Sequence, residues 1–195
     1  MNYPLQMNFK ILGIAPQIFV TDANGASVFY VRQKLFKLKE AVRVYRDKSR
    51  EDLQYEIKAD RILDFSAKYT FTDQTGGVVG AVGRKGMRSL FRATYDIYDG
   101  DEAVMVLQEE EVWKRFVEGF LGRIPILGYL IVLLINPSYV VRTLDGSVLF
   151  RLTKKPAFFE GKFSIERVAD AVSSEEESRA LLSMLMLSLL ERSRG

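Results

Sequence analysis

Short runs in which apolar and polar residues alternate fill most of this chain, and turn residues punctuate them at close intervals. Alternation at period two marks strands with one buried face. The runs at Phe9 to Ile14, Gln17 to Thr21, Leu53 to Asp60, Phe65 to Thr72, Ala103 to Gln108 and Tyr139 to Thr143 read in this way. A further unit repeats three times. Asp22-Ala-Asn-Gly25 leads into Val28 to Val31 and Lys34, Asp73-Gln-Thr-Gly76 into Val78 to Val82 and Lys85, and Asp145-Gly146 into Val148 to Leu152 and Lys155. A second strand-like run follows each lysine, at Phe36 to Tyr45, Leu90 to Tyr98 and Phe158 to Ile165. The Asn-Gly and Asp-Gly pairs supply the positive φ that tight hairpin turns need.

The last stretch, Ser173 to Arg194, breaks the alternation. From Ala180 to Leu190 only Ser183 and Ser188 interrupt Ala, Leu and Met, so no polar stripe is left to face water. The run is about 17 Å long as a helix, short of the ~20 apolar residues that cross a bilayer. It is expected to be a core helix. Ser173 and Ser174 precede Glu176 and Glu177 at capping-box spacing, and Arg192 and Arg194 suit the far end of the dipole.

A dozen short strands followed by one apolar helix predict a mainly β fold, a closed antiparallel barrel of about twelve strands wrapped around the helix, because closure removes exposed edges. Gly76, Gly80, Gly83 and Gly86 fit strands approached closely by another backbone. They lack the Gly-Lys-Ser/Thr ending of a phosphate-binding loop. At 195 residues and 48% hydrophobic content, one domain over 1–195 is expected, with a helical insertion at 110–137.

Composition narrows the chemistry. Cysteine is absent, excluding disulfides, thiolate metal sites and S-palmitoylation, and histidine is absent, excluding Ser-His-Asp triads and His-ligated zinc. The first residues, Met1 to Lys10, lack a secretion signal, which points to the cytoplasm. Glu109 to Glu111 and Glu175 to Glu177 are expected at helix starts, and Asp96, Asp99, Asp101 and Glu102 in a hairpin loop. No catalytic, metal or cofactor residue is assigned.

The net charge of +3 is unevenly spread. Arg32, Lys34, Lys37, Lys39, Arg43, Arg46, Lys48 and Arg50 face only Glu40 and Asp47 within residues 32–50, and Arg84, Lys85, Arg88 and Arg92 face no acid within 84–92. With Phe29, Val31, Val42 and Val44 inward, Arg32, Lys34 and Arg43 point outward. Such a row can bind anionic lipid head groups or simply solvate an outer face. No aromatic stacking platform accompanies it, which disfavours nucleic acid. In the insertion, Trp113, Phe116, Val117, Phe120 and Leu121 share one helical face, and after Pro125 an apolar run from Ile126 to Ile135 includes Leu127 and Leu130. These residues are candidates for a membrane-interface or partner contact, with packing on the barrel flank as the alternative.

Phe19-Val-Thr-Asp-Ala-Asn-Gly25, Phe29-Tyr-Val-Arg-Gln-Lys-Leu-Phe-Lys-Leu-Lys39 and Val42-Arg-Val-Tyr45 together resemble the opening of the LURP-one-related family, grouped with phospholipid scramblases and the tubby C-terminal domain. The resemblance covers nearly the whole chain except 110–138. It implies a twelve-stranded barrel around a C-terminal hydrophobic helix, and says less about activity, since members of the superfamily differ in what they bind. The acidic calcium segment and acylated cysteines of scramblases have no counterpart here. Tubby-type domains bind phosphoinositide head groups through outward lysines and arginines, a general expectation that maps to no particular residue.

The expected function is a non-enzymatic module at the cytoplasmic membrane surface. Arg32, Lys34, Lys37, Lys39, Arg43, Arg84, Lys85 and Arg88 are its lipid-binding candidates. The competing expectation is a soluble scaffold that uses the insertion to dimerise or to bind a protein partner, and a third is lipid scrambling.

Overall fold

Twelve strands close into a single antiparallel barrel in the simplest order available, each strand pairing with the next in sequence and the first with the last. The structure is a computed structural model and describes residues 1–10, 17–32, 41–60, 67–84, 94–110, 138–156 and 161–192. The strands are β1 (Leu5–Lys10), β2 (Gln17–Thr21), β3 (Ser27–Arg32), β4 (Val42–Tyr45), β5 (Leu53–Ala59), β6 (Lys68–Asp73), β7 (Val78–Arg84), β8 (Thr94–Asp99), β9 (Glu102–Glu109), β10 (Ser138–Thr143), β11 (Val148–Lys155) and β12 (Lys162–Arg167), followed by α1 (Ser174–Arg192). Each of the twelve runs read from the alternation pattern overlaps one strand, the run at Phe9 to Ile14 only at Phe9 and Lys10, since 11–16 lie outside the described residues. The largest shift is at β1, which starts at Leu5 and not Phe9. Leu5, Met7 and Phe9 are needed inside, opposite Ile165 and Phe163 of β12, to close the barrel.

Since neighbours are all antiparallel, odd strands run one way and even strands the other. Connections after odd strands therefore lie at one rim, here called upper, and those after even strands at the other, called lower. The lower rim is a set of tight turns. Asp22 accepts from the backbone N–H of Asn24 and Ala26, and Asp73 from those of Thr75 and Gly77, with Gly25 and Gly76 at φ 80° and 86°. In the third unit the homologous backbone position is Thr143, whose hydroxyl meets Asp145, while Gly146 takes φ 99°. A fourth turn of the kind, at Asp47, places Arg50 at φ 62°, which the sequence concealed because no glycine marks it. Gly76 thus belongs to a turn and not to a strand interior.

The helix α1 fills the barrel. Every residue from Ala180 to Leu190 is buried, Leu182, Met184 and Met186 completely. Each such side chain removed from water contributes about 1.5–3 kcal/mol. Ser183 and Ser188 donate their hydroxyls to the carbonyls of Arg179 and Met184 one turn back, so neither leaves an unmet polar group inside. Ser173 caps the start: its hydroxyl accepts from the Glu176 N–H while the Glu176 carboxylate accepts from the Ser173 N–H, the reciprocal box expected from the spacing. Arg194 and the side chain of Arg192 lie outside the described residues.

The helix enters at the lower rim, closest to β7. Arg179 donates to the Val79 carbonyl at 2.7 Å and pairs with Asp99 at 2.6 Å, and Gly80 makes room for its stem. Tyr3 donates to Glu177 at 2.7 Å; burial first, and then that carboxylate, pushes the Tyr3 phenol far up from its ordinary range. Interior positions are apolar except at the upper end of β9, where Glu109 is buried on the same face as Met105 and Leu107, and outward ones such as Gln6, Asn8, Lys10, Arg43 and Lys58 are polar. A lipid-spanning barrel has the reverse arrangement.

Candidate functional site

Three of the eight residues predicted to bind lipid fall among the described residues, and all three stand where strands meet the upper half of the barrel. Arg32 ends β3, exposed and in register with Gln17 of β2. Arg43 sits one residue inside β4, outward as expected from buried Val42 and Val44. Arg84 ends β7, half-buried opposite Tyr95. Lys34, Lys37, Lys39, Lys85 and Arg88 lie outside the described residues, as do Trp113, Phe116, Phe120, Leu127 and Leu130.

The basic run at 32–50 does not make one surface. β4 carries the chain from the upper rim at Val42 to the lower rim at Tyr45, so Arg46, Lys48 and Arg50 belong to the turn before β5, at the opposite end from Arg32. Arg46 is also engaged, donating to Asp52 at 3.1 Å and to Gln54. Arg43 is partly neutralised. Glu56 on β5 lies 3.6 Å from it and 2.6 Å from Lys58, and Lys58 first, then Arg43, holds the Glu56 carboxyl below its usual range. These residues, with Tyr45, Thr72 and Asp73, line an open groove of about 470 Å³ whose charges offset one another. Of the three described candidates, Arg32 alone is exposed with no ion pair among the described residues.

The insertion has a well-defined root. Glu109 ends β9, so Glu109 and Glu110 do not begin a helix. The Glu110 N–H donates to the Ser138 carbonyl at 2.8 Å, and its carboxylate takes a bidentate grip from Arg151, both distances 2.9 Å, with Ser138 adding a hydroxyl at 3.2 Å. Arg151 above all holds the Glu110 carboxyl below its ordinary range, and Glu110 holds the Arg151 guanidinium up. β9 and β10 pair directly across this root. Chain between Glu110 and Ser138 is therefore not required for closure.

Strand ends that flank the two basic segments and the insertion thus share the upper rim: Arg32 and Val42, Arg84 and Thr94, Glu110 and Ser138. Four further cations on that rim, Lys10, Lys154, Lys155 and Lys162, were not recognised as site residues from the sequence. The usable signal was the perfect alternation of Leu5 to Lys10, which puts Lys10 outside, and the repeat unit that ends at Lys155. Asp99, Asp101 and Glu102 surround the turn at Gly100 as expected, whereas Asp96 is not in the loop but within β8, buried and opposite Val106; Asp99 is committed to Arg179. Among the described residues no cluster of three or more metal-ligating side chains occurs, and no helix is long and apolar enough to cross a membrane.

Comparison with known proteins yields one result that identifies the chain. No curated protein and no solved structure matches it significantly. The family model for LURP-one-related proteins matches residues 9–124, from the end of β1 through β9 and into the insertion, well over half of the chain. The match is shorter than the resemblance suggested at the C-terminal end and reaches further into the insertion. With the closed barrel and its central helix, it establishes that this protein belongs to the LURP-one-related family.

Proposed function

We propose that this protein is a non-enzymatic module that docks on anionic phospholipid surfaces at the cytoplasmic face of a membrane, with its basic segments as the contact. One observation carries the reading: strand ends flanking both basic segments, 32–43 and 84–94, lie on the same rim of the barrel. Lysines and arginines brought together at an anionic surface add about 1 kcal/mol each. A barrel filled by its own helix has its chemistry on the outside, which suits a surface-binding role better than catalysis on an enclosed substrate.

Flotation of the full chain with neutral and with phosphatidylserine-containing vesicles, at low and high salt, tests the proposal. Binding is expected to need the anionic lipid and to weaken with salt. The triple substitution Lys34→Glu, Lys37→Glu and Lys39→Glu should abolish it with the far-UV spectrum unchanged. Undiminished binding by that variant would refute the reading.

A second reading takes the insertion as a contact for a protein partner or a second copy, and the stapled root at Glu110, Arg151 and Ser138 favours it, because β9 and β10 already pair up to that root. Trp113 is the only tryptophan. An emission spectrum indifferent to vesicles, with a concentration-dependent sedimentation coefficient, would support this reading over the first.

A further inference from the structure

The outward cations of the described barrel divide into two groups. On the strands β4 to β6 and at the insertion root several have a carboxylate within reach: Arg43 and Lys58 on Glu56, Lys68 on Asp101, Arg151 on Glu110. At the upper ends of β11, β12, β1 and β3 the cations have no ion pair among the described residues. Lys155 ends β11, Lys162 begins β12, Lys10 ends β1 and Arg32 ends β3, all four outward and exposed at the upper rim, and Lys154, on the other face of β11 in register with Phe163, is exposed at the same rim. The register makes them neighbours. Lys155 stands directly opposite Lys162, Lys162 opposite Asn8, Lys10 opposite Gln17, and Gln17 opposite Arg32. Among the described residues no Asp or Glu occupies an outward strand position between them; the intervening residues are Thr153, Ser164, Asn8, Gln17, Phe19 and Tyr30.

Two ordinary explanations fail here. Charges often protect the open edge of a sheet, but this sheet is closed between β1 and β12 and has no edge to protect. Nor do these charges support the fold, since like charges facing each other across a strand pair, as Lys155 and Lys162 do, oppose pairing. Strands in a sheet are about 4.8 Å apart, so β11 to β3 spans about 19 Å along the sheet, and the cations at the ends of those strands line one arc of the upper rim. That is the geometry for meeting a flat anionic surface. Base stacking is not provided for: Tyr30 is 2% exposed, and Lys10 covers the Phe19 ring at 5.4 Å.

We infer that Lys10, Arg32, Lys154, Lys155 and Lys162 form a membrane-contact arc, and that the protein docks end-on, with the upper rim against an anionic bilayer and the tight turns of the lower rim facing away. The inference rests on the lipid-docking reading and specifies the face and four residues that reading did not use. Each cation at such a surface is worth about a factor of five in partitioning, so Lys155→Gln with Lys162→Gln should weaken binding about 30-fold, and the Lys155→Glu, Lys162→Glu pair more. The matched control is Lys48→Glu with Arg50→Glu, the same change in charge at the opposite rim.

Vesicle flotation with phosphatidylserine at low salt, with thermal unfolding to confirm each variant folds, separates the outcomes. Strong loss in the β11–β12 variants with binding retained in the control supports end-on docking. Equal loss in both pairs, or greater loss in the control, overturns the orientation while leaving lipid docking intact. No vesicle binding by the parent chain overturns both. Equally tight binding of the parent to a single-stranded oligonucleotide, lost in the same variants, would assign the arc to nucleic acid instead.

Discussion

Substituting alanine for Gly80 probes how tightly the helix is locked into the barrel. Gly80 has no left-handed backbone to maintain, so replacement would ordinarily stabilise by about 0.4–1 kcal/mol through the unfolded chain. The structure predicts the opposite sign. A Cβ at Gly80 would lie 2.6 Å from the Tyr98 carbonyl oxygen on β8, and 3.0 and 3.1 Å from Cγ and Cδ of Arg179. The arginine stem can yield, at the expense of its bonds to Val79 and Asp99, but the carbonyl is backbone of a paired strand and moves only with it. Overpacking of this kind costs about 1–3 kcal/mol, leaving a net loss of about 1–2 kcal/mol. For a chain of this size that lowers the unfolding midpoint by about 2–8 °C. Gly83→Ala is the control, since its Cβ would meet only ordinary contacts at 3.6 Å and beyond. Adding Arg179→Ala to Gly80→Ala should rescue little, because the carbonyl clash persists. Calorimetry showing Gly80→Ala as stable as Gly83→Ala would refute the seating of the helix against β7 and β8.

Leu185→Lys places a charge at a position 1% exposed inside the barrel, with a cost of several kcal/mol against a typical total of about 5–15, so soluble expression and cooperative unfolding should both be lost; a well-folded variant would show α1 to be peripheral. Replacing residues 111–137 with Asn-Gly converts the root, already bonded from the Glu110 N–H to the Ser138 carbonyl, into a two-residue hairpin, and the product should unfold cooperatively. Aggregation of that protein would mean the insertion completes the core. With acid, stability should hold from pH 8 to about 5, because no histidine titrates there, and fall below about pH 4. The sign follows from Asp73, held low by the Thr75 hydroxyl and the Gly77 N–H, Asp145 by the Thr143 hydroxyl, and Glu110 by Arg151. A carboxyl depressed in the folded state stabilises above its unfolded pKa and ceases to as pH falls through the folded value. Asp73→Asn should flatten the decline, and a loss of stability between pH 8 and 5 would contradict the assignment.

The sequence alone determined the parts whose physics is local. An eleven-residue stretch from Ala180 to Leu190 with no polar stripe has to be enclosed, whatever encloses it, and it is. Alternation marks a strand wherever one face is buried, so each of the twelve runs overlaps a strand, β1 being offset toward Leu5, and Asp followed by Gly three residues later marks the turns at Gly25 and Gly76. Ser173 and Glu176 cap the helix because both partners lie within one turn. What the tertiary structure decided depends on register and on chain reversals summed around the barrel. Arg32 and Arg46 are close in sequence yet at opposite rims, because β4 intervenes; Lys10 is far in sequence from Lys155 and Lys162 yet near them, because β1 closes on β12. Gly80 is indistinguishable from Gly83 along the chain, and only the approach of Arg179 and the Tyr98 carbonyl separates them. Which cations share a surface is a property of closure, and closure pairs residues that no local pattern relates.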